Sequence, residues 1–355
     1  MRVLLFGSIA SSIAMSGAMS GATVVGCGSP QNTGANSTTV TTTPPTDSST
    51  TSPSETAAAT SAAPAPAANT AAPAPTGKLL TMAEARKYML ELINRDRATQ
   101  HLAPVTLDEG APQTAGQMHS DDMAKHGYLG HWGTDGSVPE ERMTRAGGSD
   151  FDMENALCFT DTKERTLDGK PMIEAAQVEK SESMFFNEVP PNDGHRVNIL
   201  KPFHKRVGIG VSQPLSTATE IAVPCFSQEF IDPYGTYAPI PKTTHVGSTL
   251  HVSGEIHAPA KFAGVGLSRI EAPKPITVAE LNTRRSYPIP QPYQMYWPKG
   301  YKTPIVVAVD GNKFSIDVPV SDGGKPGLYE VSVWANVPGA PDLVMVSLRT
   351  MLVTK

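Results

Sequence analysis

The sequence predicts two folded domains of different class, an α+β domain followed by an all-β domain. Two observations lead to this prediction. Segments with helical periodicity and then two strand-like runs occupy residues 78–237, whereas short strands separated by Gly and Pro occupy residues 238–355. The length of 355 residues is in keeping with two domains. Residues 1–77 have a different composition and are treated separately.

The composition excludes several broad classes. The chain has 29 Lys and Arg against 34 Asp and Glu, for a net charge of −5. It therefore lacks the basic excess that neutralises phosphates, and we do not expect nucleic acid as a partner. Three cysteines are too few for a small disulfide-rich scaffold. After the N-terminal segment no run of 18 apolar residues occurs, so we expect no internal transmembrane helix.

Residues 1–26 have the pattern of an export signal. Arg2 precedes an apolar run, and Val24-Val25-Gly26-Cys27 resembles the lipobox of bacterial lipoproteins. We therefore expect Cys27 to be lipidated and to anchor an exported protein to the bacterial membrane, in the cell envelope or at the surface. The alternative is an ordinary secretory signal that is cleaved nearby, with Cys27 as an incidental thiol.

Residues 27–77 have the composition of a tether. Thr, Ser, Ala and Pro dominate, no aromatic residue is present, and Asp47 and Glu55 are the only charged residues. Such a segment cannot bury enough apolar surface to offset the entropy lost on ordering. We expect a disordered spacer that holds the folded part of the chain away from the membrane.

Helices and strands follow each other in residues 78–237. The pattern Thr81-Met82-Ala83-Glu84 is a capping box that predicts the start of a helix. A second capping pattern, Ser137-Val138-Pro139-Glu140, predicts the start of a short helix that ends at Gly147. Two further helices are predicted over residues 111–126 and 172–186, and two strands over residues 206–211 and 221–230.

Four residues in this domain are candidates for chemistry. His131 lies in a Gly-rich loop, Glu154 and Glu188 lie in separate segments, and His195 follows Gly194. Two imidazoles and two carboxylates suit a divalent ion such as zinc, and they also suit acid–base work. Because each residue belongs to a different segment, the spacing leaves an alternative open. The four could be scattered surface carboxylates and two hydrogen-bonded histidines.

The motifs around these residues resemble a known family. The ordered set is Tyr128-Leu129-Gly130-His131, Asp135-Gly136, Glu154-Asn155, Gly194-His195-Arg196-Val197-Asn198-Ile199-Leu200 and Val207-Gly208-Ile209-Gly210-Val211. This set is similar to the CAP (SCP) superfamily, which includes cysteine-rich secretory and plant pathogenesis-related proteins. The resemblance covers about 160 residues, under half of the chain. It implies a CAP-type α-β-α sandwich with a central cleft.

The resemblance also implies the residues of that cleft. The family's two His and two Glu correspond here to His131, Glu154, Glu188 and His195. Some members bind zinc or another divalent ion through the two histidines, which would make His131 and His195 the metal ligands. Other members bind sterols or fatty acids in nearby apolar grooves. The family has no accepted common reaction, so the resemblance implies a ligand-binding cleft and no catalytic residue.

Two classes of function remain. The first is a surface-tethered binding protein, not an enzyme, whose cleft takes a lipid, an envelope component or a partner protein, with or without a divalent metal. The second is a metal-dependent hydrolase or peptidase with Glu154 or Glu188 as general base. The sequence has neither a Gly-x-Ser-x-Gly elbow nor a His-Glu-x-x-His helix, which favours the first class.

Two cysteines remain once Cys27 is assigned to a lipid. In an exported protein, two remaining thiols favour a disulfide, here between Cys158 and Cys225. Two buried free thiols are the alternative.

Residues 238–355 predict an immunoglobulin-like β-sandwich, because short alternating strands are separated by Gly and Pro. Asp310-Gly311-Asn312 is a hairpin turn signal between two of the strands. The segment 286–297 is rich in aromatic residues and proline. It either grips a glycan or peptide, or packs against the sheet.

Overall fold

The computed structural model describes residues 77–218, 222–284 and 286–355. The predicted signal peptide, Cys27 and the predicted tether up to residue 76 lie outside these residues. Within the described part of the chain, no helix has the length and apolar character needed to cross a membrane.

The first unit is a mixture of helices and strands. Its elements are β1 (Leu79–Leu80), α1 (Met82–Ala98), β2 (Thr106–Leu107), α2 (Ala111–His126), α3 (Pro139–Arg145), β3 (Asp152–Leu157), β4 (Ile173–Glu174), α4 (Ala175–Phe186), α5 (Gly194–Ile199), β5 (Arg206–Ser212) and β6 (Cys225–Ile231). Four strands form one sheet in the order β2-β5-β6-β3, and β1 pairs with β4. This content agrees with the predicted α+β class.

Side-chain alternation along β5 assigns the two faces of the four-stranded sheet. Val207, Ile209 and Val211 pack in one apolar cluster with residues of α1 and α4. Gly210 faces the other way, where a Cβ would lie 2.1 Å from the carbonyl oxygen of Gly116 in α2. Only glycine permits this approach, so the strand glycines allow α2 to lie directly on the sheet. Helices thus cover both faces.

The helix termini test the predicted capping patterns. At α1 the capping box is confirmed, since the N–H of Glu84 donates to Oγ1 of Thr81 and the N–H of Thr81 donates to Oε2 of Glu84. At α3 the predicted short helix is present, but its N-cap residue is Val138 and no side chain caps it, so the predicted cap was wrong. The carboxyl of Glu140 is instead buried and accepts a hydrogen bond from the hydroxyl of Tyr287.

The predicted disulfide between Cys158 and Cys225 is confirmed, across 67 residues of sequence. Cys158 directly follows β3 and Cys225 begins β6, the strand that pairs with β3. The bond therefore joins one end of the edge strand to its neighbour.

The second unit consists of two β-sheets. Its elements are β7 (Gly235–Tyr237), β8 (Thr243–His245), β9 (Thr249–Ile256), β10 (Lys261–Ile270), α6 (Val278–Leu281), β11 (Gln294–Tyr296), β12 (Ala308–Asp310), β13 (Lys313–Pro319), β14 (Gly327–Asn336) and β15 (Val344–Thr354). The sheets have the strand orders β12-β13-β9-β7 and β11-β10-β14-β15-β8. One apolar cluster takes Val252 and Ile316 from the first sheet and Val265 and Val331 from the second, so the sheets pack face to face. The immunoglobulin-like assignment stays a prediction.

Residues 271–284 and 286–293 lie between β10 and β11 and are called the strap below. The strap contains α6 and is long for a connection between two paired strands. It leaves the second unit and packs against the loop of the first unit that follows α2. The two units also meet at β15, where the N–H of Phe151 donates to the carbonyl of Val346 at 3.2 Å.

Candidate functional site

His131 and Glu154 form a buried pair on the face of the sheet covered by α2. Nδ1 of His131 donates to Oε1 of Glu154 at 2.8 Å. Arg142 on α3 completes the arrangement, with Nη2 at 2.6 Å from Oε2 of Glu154 and 3.0 Å from the carbonyl oxygen of His131. His131 and Glu154 are each 1% exposed.

The groups around Glu154 keep its carboxylate ionised. Burial on its own would raise the pKa of Glu154, but the guanidinium of Arg142 and the imidazoles of His119 and His131 outweigh it. The pKa of Glu154 therefore lies well below its ordinary value. A carboxylate held in this way is a fixed negative charge and not a proton carrier.

His119 on α2 belongs to the same buried group. Its Nε2 donates to the carbonyl oxygen of Gly130 at 2.7 Å and lies 3.6 Å from Oε1 of Glu154. Burial and the charge of Arg142 lower the pKa of His119 to about 4, so its ring is neutral at pH 7. Neither His119 nor Arg142 was among the residues that the sequence predicted for the site.

Two further acids lie around Arg142. Asp152 on β3 and Glu229 on β6 are buried, and their carboxylate oxygens have no hydrogen-bond partner within the described residues. Burial raises the pKa of both well above the ordinary range, with the charge of Glu154 adding to the effect. Glu154 is therefore the carboxylate that pairs with Arg142, while burial disfavours the charged forms of Asp152 and Glu229.

His195 and Glu188 form the second pair. Nδ1 of His195 lies 2.6 Å from Oε1 of Glu188, and the backbone N–H of His195 donates to Oε2 at 2.9 Å. The ring of Phe185 contacts the imidazole edge-on, with 4.9 Å between the ring centroids. Nε2 of His195 is buried and has no hydrogen-bond partner among the described residues. Glu188 thus fixes the orientation of the ring through both of its oxygens.

The two pairs lie on opposite faces of the edge strand β3. Glu154 faces α2, while its neighbour Asn155 points to the face covered by α1 and α4. There Nδ2 of Asn155 lies 3.3 Å from the carbonyl oxygen of His195. The structure therefore places the four predicted residues in two separate His–Glu pairs, His131 with Glu154 and His195 with Glu188.

The described side chains do not form a metal cage. No group of three or more His, Cys, Asp or Glu in this part of the chain is placed to hold a metal ion. The Nδ1 atoms of His131 and His195 each lie at hydrogen-bonding distance from a carboxylate. Zinc or another divalent ion at His131 and His195 stays a prediction.

A series of buried side-chain hydrogen bonds lies next to the backbone of His195. It runs from Asp232 through His204, Asn198, Asn155 and Gln228 to Glu182, with distances of 2.6 to 2.9 Å between successive partners. Burial and the nearby charge of Asp96 raise the pKa of Glu182 to about 8. This series of bonds holds Asn155, and through it the backbone of His195, in place.

The strap covers the loop that carries His131. The N–H of Ile276 donates to the carbonyl of Thr134 at 2.9 Å, and Oδ1 of Asn282 accepts the N–H of Leu129 at 3.1 Å. Leu281 is buried in the apolar cluster that contains Tyr128. The strap thus contacts the His131 loop on both sides of His131, through backbone and side-chain atoms.

The aromatic segment predicted at 286–297 packs against the first unit at its start. The rings of Tyr287 and Trp132 meet edge-on with 5.0 Å between centroids, and the guanidinium of Arg284 lies 4.6 Å from the centre of a Trp132 ring. Tyr287 is 4% exposed. These contacts place Trp132 in the interface between the units and contribute to the burial of the adjacent His131.

Comparison with known protein families agrees with the CAP resemblance of the first unit. Residues 90–218 match the CAP family model, described as the cysteine-rich secretory protein family. This match supports a CAP-superfamily domain in the first unit, and its span includes His131, Glu154, Glu188 and His195. No curated protein matches the chain. Among solved structures, murine CRIg matches with 9% identity and a TM-score of 0.22, covering 34% of this chain and 98% of that one.

Proposed function

We propose that this chain is an exported, membrane-tethered binding protein of the CAP superfamily that acts without catalysing a reaction. Its two His–Glu pairs border, from opposite faces of β3, the cleft that takes a lipid, an envelope component or a partner protein. The match of residues 90–218 to the CAP family supports a binding function of the secreted type. The anchor is the lipidated Cys27, and the Thr-, Ala- and Pro-rich segment is the spacer.

This proposal rests on the hydrogen bonds of Glu154 and Glu188, whose carboxylate oxygens are all bonded to neighbouring groups of the protein. A general base needs a pKa near the working pH and access to the proton it takes. Glu154 is 1% exposed, its pKa is lowered, and both oxygens are bonded to Arg142 and His131. Glu188 directs both of its oxygens to His195. Each carboxylate therefore holds a neighbouring side chain in place.

A metal-dependent hydrolase is the second candidate. The unpartnered and buried Nε2 of His195 favours it, because such a nitrogen suits a metal ion or a substrate hydrogen bond. Glu154 or Glu188 would then act as general base. The engagement of both carboxylates by their own neighbours makes this the weaker candidate.

Turnover measurements separate the two candidates. Wild-type protein and the Glu154→Gln variant are compared on a casein and on a p-nitrophenyl ester, each with zinc and with a chelator. For each substrate, a binding protein gives the same background rate in all four combinations of protein and metal condition. Turnover that requires zinc and disappears in Glu154→Gln would establish the hydrolase instead.

The anchor is tested separately in a bacterium that processes lipoproteins. Cys27→Ala should move the protein from the membrane fraction to the soluble fraction, while Ser29→Ala, two residues away, should leave it with the membrane. Equal membrane partitioning of both variants would remove the lipid anchor from the proposal.

A further inference from the structure

Two buried carboxyls, one from each unit, face each other where the units meet. Glu140 on α3 is 3% exposed and Glu330 on β14 is 0% exposed. Within the described residues, no N–H group donates to Glu330. Its carboxyl instead lies in hydrogen-bonding contact with that of Glu140, and the hydroxyl of Ser268 also faces it. Glu140 and Glu330 are called the acid pair below.

The outer face of the second sheet directs Glu330 towards the first unit. Leu328, two residues earlier on β14, packs with Tyr287 of the strap. Alternate residues of a strand point to the same face, so Glu330 points the same way as Leu328. On β15, Thr350 lies opposite Glu330, and its N–H donates to Oγ1 of Thr144 in the first unit at 3.1 Å. The acid pair therefore lies inside the contact between the units.

The other titratable groups around the acid pair come from three elements. Glu141 and Arg142 lie on α3, Asp152 lies on β3, and Tyr287 lies in the strap. The hydroxyl of Tyr287 donates to the carboxyl of Glu140. Arg142 is the cation among these groups, whereas Glu141 and Asp152 add negative charge when they ionise.

Arg142 neutralises the acid pair only in part. Its Nη2 donates to Glu154 at 2.6 Å, and its Nη1 donates to the carbonyl oxygen of Ser137 at 3.2 Å. Burial raises the pKa of Glu140, although the charge of Arg142 offsets some of this effect. Burial and the charge of Glu140 raise the pKa of Glu330 well above its ordinary range. Two like charges in a dry contact are unfavourable, so the closed contact favours a proton on the acid pair.

The direction of the pH effect follows from these shifts. When the contact is open, both carboxyls are in water and ionise above their ordinary value of 4.5. The stabilisation of the closed contact is therefore fully present below about pH 4.5 and is lost as pH rises through the pKa values of the closed state. For each carboxyl, the ratio of open to closed contact rises by up to about tenfold per pH unit.

We propose that the acid pair is a pH-sensitive switch for the docking of the two units. While Glu140 and Glu330 share a proton they hold the contact closed, and loss of that proton opens it. Tyr287 bonds to Glu140 and packs on Trp132, so opening also loosens the strap next to the His131 loop. The switch concerns the contact between the units and does not depend on the ligand of the cleft.

Hydrogen exchange of the full chain at pH 5, 6.5 and 8, detected by mass spectrometry, tests the switch. Two N–H groups donate across the contact, that of Phe151 to Val346 and that of Thr350 to Thr144. Wild type is compared with Glu330→Gln at each pH, because their ratio cancels the intrinsic pH dependence of exchange. Peptides containing Phe151 or Thr350 should exchange alike in both proteins at pH 5. At pH 8 they should exchange at least about tenfold faster in wild type, where the carboxyl ionises.

Two further variants and one internal reference accompany this comparison. Glu140→Gln should lose pH dependence in the same way, and it replaces Glu330→Gln if that variant does not fold. Glu271→Gln is the matched control, because its side chain is 86% exposed at the start of the strap, and it should follow wild type at every pH. Peptides of α1 should exchange alike in all four proteins. Circular dichroism at pH 5 verifies that each variant is folded.

A constant ratio of wild-type to Glu330→Gln exchange from pH 5 to pH 8, in the peptides containing Phe151 and Thr350, would exclude the switch. Equal acceleration in the peptides of α1 would exclude it too, because the acids would then act on the whole fold and not on the contact between the units. Neither result bears on the proposed function of the His–Glu pairs, because no variant alters their residues.

Discussion

The guanidinium of Arg142 and the carboxylate of Glu154 form an ion pair with 2.6 Å between Nη2 and Oε2, and the two side chains are 3% and 0% exposed. The helix α3 supplies the cation and the edge strand β3 supplies the anion. His131 donates to the same carboxylate and offers its carbonyl oxygen to the same guanidinium. One buried charge pair thus fixes the His131 loop to the sheet.

Removal of the cation should destabilise the fold strongly. Arg142→Met leaves the carboxylate of Glu154 buried without its main counter-charge, which typically costs about 3–5 kcal/mol in the free energy of unfolding. Urea unfolding followed by circular dichroism measures this loss. Arg145→Met is the control on the same helix, because the pair Arg145–Asp135 is exposed and should contribute less than about 1 kcal/mol. Similar losses in both variants would contradict a structural role for the buried pair.

Glu182 should make stability depend on pH. Burial raises its pKa to about 8 in the folded protein, against an ordinary value of 4.5, so the folded state binds a proton that the unfolded chain releases above about pH 4.5. The contribution of Glu182 is fully present below about pH 4.5. It is lost as pH rises towards 8, at up to about 1.4 kcal/mol per pH unit.

Chemical unfolding at pH 5 to 8 tests this dependence. Glu182→Gln cannot ionise and should show a flatter decline of unfolding free energy with pH than the wild type. Glu91→Gln, on the exposed side of α1, should follow the wild-type curve. Parallel curves for wild type and Glu182→Gln would show that Glu182 is not protonated in the folded state.

The contact between α2 and β5 should not tolerate a side chain at residue 210. In Gly210→Ala the new Cβ would lie 2.1 Å from the carbonyl oxygen of Gly116, so the helix must move away from the strand. Overpacking of this kind typically costs about 1–3 kcal/mol. Gly169→Ala is the control, since no atom lies within 4 Å of its added Cβ. Thermal unfolding should show a lower midpoint for Gly210→Ala alone, and equal midpoints would show that α2 adapts.

The local signals of the first unit were sufficient to predict its longest helices. Thr81 and Glu84 cap α1, and Gly127 ends α2 in the left-handed conformation with φ of 69°. Such signals depend on a few neighbouring residues and are therefore visible in the sequence. The pairing of Cys158 with Cys225 was predicted because only two thiols remained.

Other features depend on contacts between distant segments. Glu140 has the sequence position of a capping residue, yet its carboxyl is buried against Tyr287, 147 residues away. The strand β3 was not predicted, because acidic residues such as Asp152 and Glu154 interrupt the apolar alternation. Arg142 gives no local sign that it pairs with Glu154. The site is built from buried acidic residues, and such residues do not follow the apolar patterns from which buried elements are predicted.

The placement of the four site residues was predicted in part from the sequence. Motif resemblance selected His131, Glu154, Glu188 and His195, and the structure pairs each histidine with one of the glutamates. The face of β3 on which each pair lies follows from strand register, which the sequence alone did not fix. The cover by the strap depends on a 23-residue connection of the second unit, from residue 271 to residue 293.

The strap provides the last prediction. Asn282 contacts the His131 loop through its side chain, since Oδ1 accepts the N–H of Leu129 at 3.1 Å and Nδ2 donates to the carbonyl of Gly127 at 3.4 Å. Asn282→Ala removes both bonds and leaves the backbone groups of Gly127 and Leu129 without these partners. Local opening of the loop should then become easier by about 1 kcal/mol, which corresponds to about fivefold faster exchange.

Hydrogen exchange detected by mass spectrometry measures this opening in a peptide that spans residues 127–133. Thr283→Ala is the matched control, because the Thr283 hydroxyl is exposed and donates only to Glu280 within the strap. Exchange in this peptide should accelerate in Asn282→Ala and remain unchanged in Thr283→Ala. Wild-type exchange in both variants would mean that the apolar contacts of Leu281 and Tyr287 are enough to hold the strap. Faster exchange across the whole first unit would mean that Asn282 supports its global fold, and the strap would then be part of the core of that unit and not a separate cover over His131.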